Sequence, residues 1–145
     1  MAIGTNPPAF QAWVQLARGF HRIQDAVGAA LKSAELPPLD WYDVLLELER
    51  HGSPMRTRDL EQRLLIAQYN LSRLLDRLEN EQFIARQPDP EDGRSRLISI
   101  TERGLAARSQ SWPIYRRAIE GLIGTRLTPL QAMELARLLK RIATS

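Results

Sequence analysis

"DLEQRLLIAQYNLSRLLDRLENEQFIARQ", Asp59 to Gln87, holds two helical patterns and a β-leaning end. In its middle, Leu71, Leu74, Leu75 and Leu78 recur at i, i+3, i+4 and i+7, the compact apolar face of a helix expected over residues 67–80. The opposite side of that helix reads Tyr69, Arg73, Asp76, Arg77 and Asn80. Just upstream, Thr57 is the expected N-cap of a shorter helix over 58–64 that carries Leu60 and Leu64 on one face. A tight connection through Leu65 and Ile66 joins the two. A short helix, a turn, and a second helix with an aromatic, polar and basic outer face make the layout of a helix-turn-helix.

Downstream, "FIARQP" (83–88) and "RLISI" (96–100) are β-leaning runs on either side of "DPEDG" (89–93), so a two-stranded hairpin with a projecting loop is expected. The major groove of duplex DNA admits one helix, which reads base edges only if its inner face is held by a scaffold. Near the start of the second helix, the amides of Gln68 and Asn70 suit adenine, Tyr69 suits a thymine methyl or a phosphate, and Arg73 and Arg77 follow one and two turns on. Arg94 in the hairpin loop is placed to enter the flanking minor groove, whose negative potential attracts arginine. Asp92 is expected to pair with Arg94 and fix its direction, with Asp89 and Glu91 solvated at the loop base. Thr57, Ser72 and Arg96 complete the candidate DNA-contacting set. A solvated surface hairpin with cancelling charges is the plain alternative. From Arg56 to Arg103 nine arginines face nine acids, so binding a polyanion requires the fold to separate the signs.

Outside this core, apolar or small residues at Phe10, Trp13, Ala17, Phe20, Val27 and Leu31 predict a long amphipathic helix over 10–31. Pro37 and Pro38 stop it, Asp40 is the expected N-cap of a helix over 41–50, and Gly52-Ser53-Pro54 ends that one. Thr101 caps a further helix that Pro113 is expected to kink or interrupt. Thr128, Pro129 and Gln131 form a capping-box start for the last helix.

The absence of cysteine excludes disulfides, thiolate metal sites and thiol redox sensing. His21 and His51 lack metal-ligand spacing, so neither a metal nor a cofactor is expected, and His21 reads as an interfacial residue, with a hydrogen-bond donor to a ligand as the alternative. No apolar run is long enough for a membrane span and the N-terminus does not read as a secretion signal, which makes the cytoplasm the expected compartment. The net charge is only +3, but 18 of the 20 basic residues are arginine, whose planar fork matches phosphate and guanine edges. A coding bias toward arginine accounts for the same numbers.

The run Asp92-Gly93-Arg94 followed by Ile98-Ser99-Ile100-Thr101 resembles the wing signature of the MarR family of bacterial transcription regulators, and residues 59–87 resemble its helix-turn-helix, with Arg73 at a recurrent recognition-helix arginine. The resemblance extends from about Phe10 to Ile142. It implies a mainly α fold with a small β-hairpin wing (α+β), in which a winged helix-turn-helix domain (37–101) sits between an N-terminal dimerisation helix (1–36) and C-terminal dimerisation helices (102–145). It further implies a homodimer that represses from a palindromic double-stranded operator and is released by a small effector, such as an aromatic acid or its thioester. Trp13, Trp41, Tyr42 and Trp112 are the aromatics nominated for that effector, with core packing as the alternative role for each. Leu65 stands where related sequences often have glycine, so either the turn is made without a left-handed residue or the first helix ends early. Two other functions compete: a winged helix that binds protein instead of DNA, and a small enzyme using His51 with Glu47, for which no nucleophile or phosphate loop is present.

Overall fold

The computed structural model describes residues 6–65 and 69–144. The chain forms two compact units, one made of 1–30 with 115–145 and the other of 31–114, with boundaries inside the first and fifth helices.

The second unit carries the helix-turn-helix pattern. Helix α1 (Pro8–Ser33) ends in it, and α2 (Leu39–His51) follows the Pro37-Pro38 stop. The N-cap of α2 is Pro38, whose extended backbone aims its carbonyl at the Trp41 and Tyr42 N–H groups; Asp40 lies inside the first turn and only accepts from Trp41 N–H. Gly52 closes the helix in the left-handed conformation (φ 75°), which glycine adopts without steric cost. Next come β1 (Met55–Arg56) and α3 (Thr57–Arg63). Arg56 is extended because it belongs to a strand, so Thr57 is the first helical residue and not the cap. Leu64 is also extended (φ −64°, ψ 135°), so α3 ends early and the turn needs no glycine at Leu65.

Helix α4 is Leu71–Asn80, shorter than the expected 67–80. Asn70 is its N-cap: its own dihedrals are non-helical (φ −125°, ψ 53°) while its carbonyl accepts from Leu74 N–H. Strands β2 (Ile84–Pro88) and β3 (Arg96–Ile100) form the expected hairpin, in the register Ile84 to Ile100, Arg86 to Ile98 and Pro88 to Arg96. The sheet has a third strand, because β1 pairs antiparallel with the other edge of β3 and gives the order β1-β3-β2. Leu45, Leu48, Leu60, Leu75, Leu78 and Ile98 form the centre of one core under α2, α3, α4 and the sheet. Burying a leucine side chain of this kind contributes about 1.5–3 kcal/mol.

Helix α5 (Glu102–Ile119) starts on Thr101, whose hydroxyl accepts from Gly104 N–H and donates to the Gln82 carbonyl. Pro113 does not interrupt it; the irregularity is a π-helical stretch, Glu120–Gly124, immediately after the helix. In the first unit, α6 (Pro129–Ala143) opens with the capping box expected from Thr128 and Gln131, and both reciprocal hydrogen bonds are formed at 3.0 and 3.2 Å. No helix among the described residues is long and apolar enough to cross a membrane.

Candidate nucleic-acid interface

The leucine spacing of α4 does what its period requires. Leu71, Leu74, Leu75 and Leu78 are all buried, which turns Ser72, Arg73, Asp76, Arg77 and Asn80 outward. Tyr69, in the turn before the helix, is fully exposed at 102%. Tyr69 and Asn70 therefore precede the helix instead of lying in its first turn, and the free N–H groups there belong to Leu71, Ser72 and Arg73. Gln68 lies outside the described residues. Thr57 is half-buried at the start of α3.

The wing loop is held from within. Asp89 N–H bonds the Ser95 carbonyl, and Ser95 N–H bonds the Asp92 carbonyl. Asp92 accepts from the backbone N–H of Arg94 at 3.0 Å, so it fixes the chain under Arg94 and not the guanidinium. Asp89 is not solvated: its side chain is 2% exposed and it accepts from Arg56 Nε at 2.6 Å. Glu91 closes the same cluster, its carboxylate 3.1 Å from the other end of Arg56. The Glu91 N–H and the Arg56 guanidinium together hold the Asp89 carboxyl below the usual carboxylate range.

A second clamp ties the wing to α4. Arg86 on β2 reaches Asp76 at 2.6 Å and Glu79 at 2.9 Å, both on α4, and its hydrogen bond lowers the pKa of Glu79. Arg103 pairs loosely with Glu81 at 3.8 Å. Three arginines, Arg56, Arg86 and Arg103, thus occupy five of the nine acids between positions 56 and 103. Arg73, Arg77, Arg94 and Arg96 are exposed and form no ion pair among the described residues. The fold thus neutralises part of the acidity that the sequence intermingles with these arginines, most fully at Asp89 and Glu79, whose partners Arg56 and Arg86 are themselves largely covered. Sequence reasoning missed Arg56 and Arg86, because their pairings cross 33 and up to 10 positions of sequence.

The four nominated aromatics stand in different surroundings. Tyr42 is buried in the core, Trp112 is half-exposed on α5, and Trp13 belongs to the other unit. Trp41 alone lines a cavity of about 570 Å³, with Phe83 and Arg103. Among the described residues no group of histidines and acids is arranged to hold a metal ion.

The MarR family model matches residues 35–95, the segment that contains α2, the helix-turn-helix and most of the wing. Over that segment the chain matches the MarR family. It is 31% identical over 101 residues to an uncharacterised HTH-type transcriptional regulator of Bacillus cereus, a match that takes in 70% of this chain and 65% of that relative's length. Two solved structures share the MarR fold almost end to end. BpsR of Bordetella bronchiseptica, whose DNA binding is regulated by 6-hydroxynicotinic acid, superposes with a TM-score of 0.84 at 21% identity, covering 98% of this chain and 99% of BpsR. A MarR family transcriptional regulator of Streptomyces coelicolor, solved in complex with DNA, gives 0.83 at 21% identity, covering 99% and 91%.

Proposed function

We propose that the protein is a sequence-specific double-stranded DNA-binding transcriptional repressor acting in the cytoplasm. Helix α4 lies in the major groove, with Arg73 and Arg77 at base edges or phosphates and Tyr69, Asn70 and Ser72 at its leading end. Gln68, just before that end, is part of the same contact set. Arg94 enters the adjacent minor groove, while Thr57 and Arg96 meet the backbone. Asp92 acts through the loop that carries Arg94. The single observation behind this reading is the pairing of charge: Asp89, Asp76 and Glu79 are held by Arg56 and Arg86, while Arg73, Arg77, Arg94 and Arg96 are exposed with no ion pair among the described residues.

The repressor works as a homodimer on a palindromic operator, with half-sites about one helical turn, roughly 34–36 Å, apart. Support comes from the first unit, where Phe10, Trp13 and Phe20 on α1 and Leu130, Met133 and Ile142 on α6 are exposed, an apolar surface typical of an interface. A small aromatic molecule releases the operator, consistent with the aromatic lining at Trp41 and Phe83 and with the ligand control of BpsR. Fluorescence anisotropy with a labelled duplex from upstream of the protein's own gene, at fixed salt, tests the reading. Saturable binding that outcompetes random duplex is expected. Binding no tighter than to random duplex would instead favour a winged helix used for protein interaction.

A further inference from the structure

The 570 Å³ cavity has a charge arrangement that selects its occupant. Its size suits a small molecule, and every lining residue belongs to the unit that carries the helix-turn-helix. Trp41 meets Phe83 edge to face, with ring centroids 5.8 Å apart, which gives the cavity an aromatic wall beside the Pro37-Pro38 turn. Its charged groups are Glu35, Glu81 and Arg103, two carboxylates against one guanidinium. Arg103 is already engaged: its Nε donates to the Glu81 carbonyl at 2.9 Å, it faces the Glu81 carboxylate at 3.8 Å, and it lies over Phe83 with 5.2 Å from the guanidinium carbon to the ring centroid. Glu35 has no ion pair among the described residues, so the lining is net negative.

Glu35 also stands where its backbone would favour another residue. It follows the C-terminus of α1 in the left-handed conformation (φ 56°), with Leu36 N–H bonded back to the Leu31 carbonyl, a helix end that favours glycine or asparagine. The glutamate at this position sets a negative charge at the cavity rim.

An aromatic acid would enter against the net charge of this lining and would share Arg103 with the Glu81 carboxylate 3.8 Å away. An aromatic cation lies on Trp41 with its charge beside Glu35, and the Arg103–Phe83 contact demonstrates that a ring of this wall accepts a delocalised cation. We propose that this cavity is an effector site for an aromatic ring bearing a cationic group, with Glu35 as counter-ion and Trp41 as ring platform. Its regulatory part rests on the DNA-binding reading. Glu81 to Phe83 follow directly on the last residue of α4, and Phe83 N–H bonds the Leu78 carbonyl at 2.9 Å, so a ligand against Phe83 acts on the C-terminal end of the reading helix.

The test is calorimetric titration of the full chain, without DNA, with three probes that share one ring: 2-naphthylmethylammonium, 2-naphthylmethanol and 2-naphthoate. The ammonium should bind tightest and the carboxylate weakest. Glu35→Asn should keep or raise Tm while reducing ammonium affinity roughly fivefold, to that of the alcohol, the scale of a partly exposed charge contact. Tightest binding by naphthoate, no binding by any probe, or an ammonium affinity untouched by Glu35→Asn would overturn the site. The same ammonium added to the duplex complex should release DNA, and failure to do so while calorimetry detects binding would remove the regulatory role. If the chain binds no duplex while the calorimetric order holds, the DNA-binding reading falls and the cation site stands.

Discussion

Arg56 and Asp89 meet across 33 positions of sequence, Nε to Oδ2 at 2.6 Å, and the Asp89 side chain is 2% exposed. The pair joins β1 to the first residue of the wing loop and converts an acid that should repel DNA into part of the scaffold. A buried carboxylate is tolerated only when its hydrogen bonds are supplied, and here Glu91 N–H supplies a second at 2.9 Å.

Asp89→Asn should lower Tm by a few degrees at neutral pH, because Arg56 loses its charged partner. The sign with pH follows from the depressed carboxyl pKa. Such a group contributes its full stability above its unfolded value, about 3.9, and loses it as pH falls through the lower folded value. The gap in Tm between parent and variant should therefore be constant from pH 8 to 5 and narrow below about pH 4. Thermal melts at pH 7, 5 and 3 measure it, and a gap that persists unchanged at pH 3 would contradict the role given to this carboxylate.

Arg94→Ala and Arg73→Ala separate affinity from discrimination. Arg94 sits on a loop whose backbone Asp92 fixes, so its loss should leave the fold intact and weaken operator binding by about 1–3 kcal/mol. Arg73 stands on the outward face of α4, where its loss should lower the ratio of operator to random-duplex affinity. Anisotropy titrations against both duplexes at two salt concentrations distinguish the effects. Unchanged affinity in the first variant, or an unchanged ratio in the second, would remove that residue from the interface.

What the sequence made legible was periodic or capped. Four leucines at helical spacing located α4, Thr128 and Gln131 located α6, and the β-leaning run Arg96 to Ile100 located β3. What it hid was short or distant. Two residues, Met55 and Arg56, are too few to show a strand period, so β1 emerges only from its pairing with Leu97 and Ile98. The starts of α2, α3 and α4 shifted because Pro38, Arg56 and Asn70 took the cap position through backbone conformation, none with a side-chain cap bond. The clamps by Arg56 and Arg86 depend on which strand faces which helix, information that no local pattern holds.

Gly104 in the first turn of α5 was invisible for a similar reason. A Cβ at this position would come within 2.2 Å of the Phe83 carbonyl oxygen and 2.9 Å of an Ile100 side-chain carbon. The carbonyl is fixed, since it also accepts from Thr101 N–H at 3.1 Å. Gly104→Ala should destabilise by about 1–3 kcal/mol through overpacking, despite alanine's better helix propensity. Gly93→Ala, where nothing lies within 4 Å, should stay within about 0.5 kcal/mol of the parent. Urea melts of both variants measure this, and equal midpoints would mean that α5 can shift away from Phe83 at little cost.

The first unit exposes more apolar surface than a lone unit should. Leu130 is 78% and Ile142 73% exposed on α6, with Met133 between them, and the capping box at Thr128 fixes where that helix begins. If a second copy covers this surface, Leu130→Glu with Ile142→Glu places four carboxylates in one symmetric interface and should shift the mass by light scattering from a dimer toward the 16.5 kDa chain. The second unit keeps its own core, so its melting transition should survive the substitutions. Operator affinity should fall steeply in the same variant, because two half-sites are then held by independent molecules and the effective concentration of the second reader is lost. A parent that is monomeric at every concentration tested, or a double variant that binds the full operator as tightly as the parent, would show that dimerisation through this surface is not how the protein grips DNA.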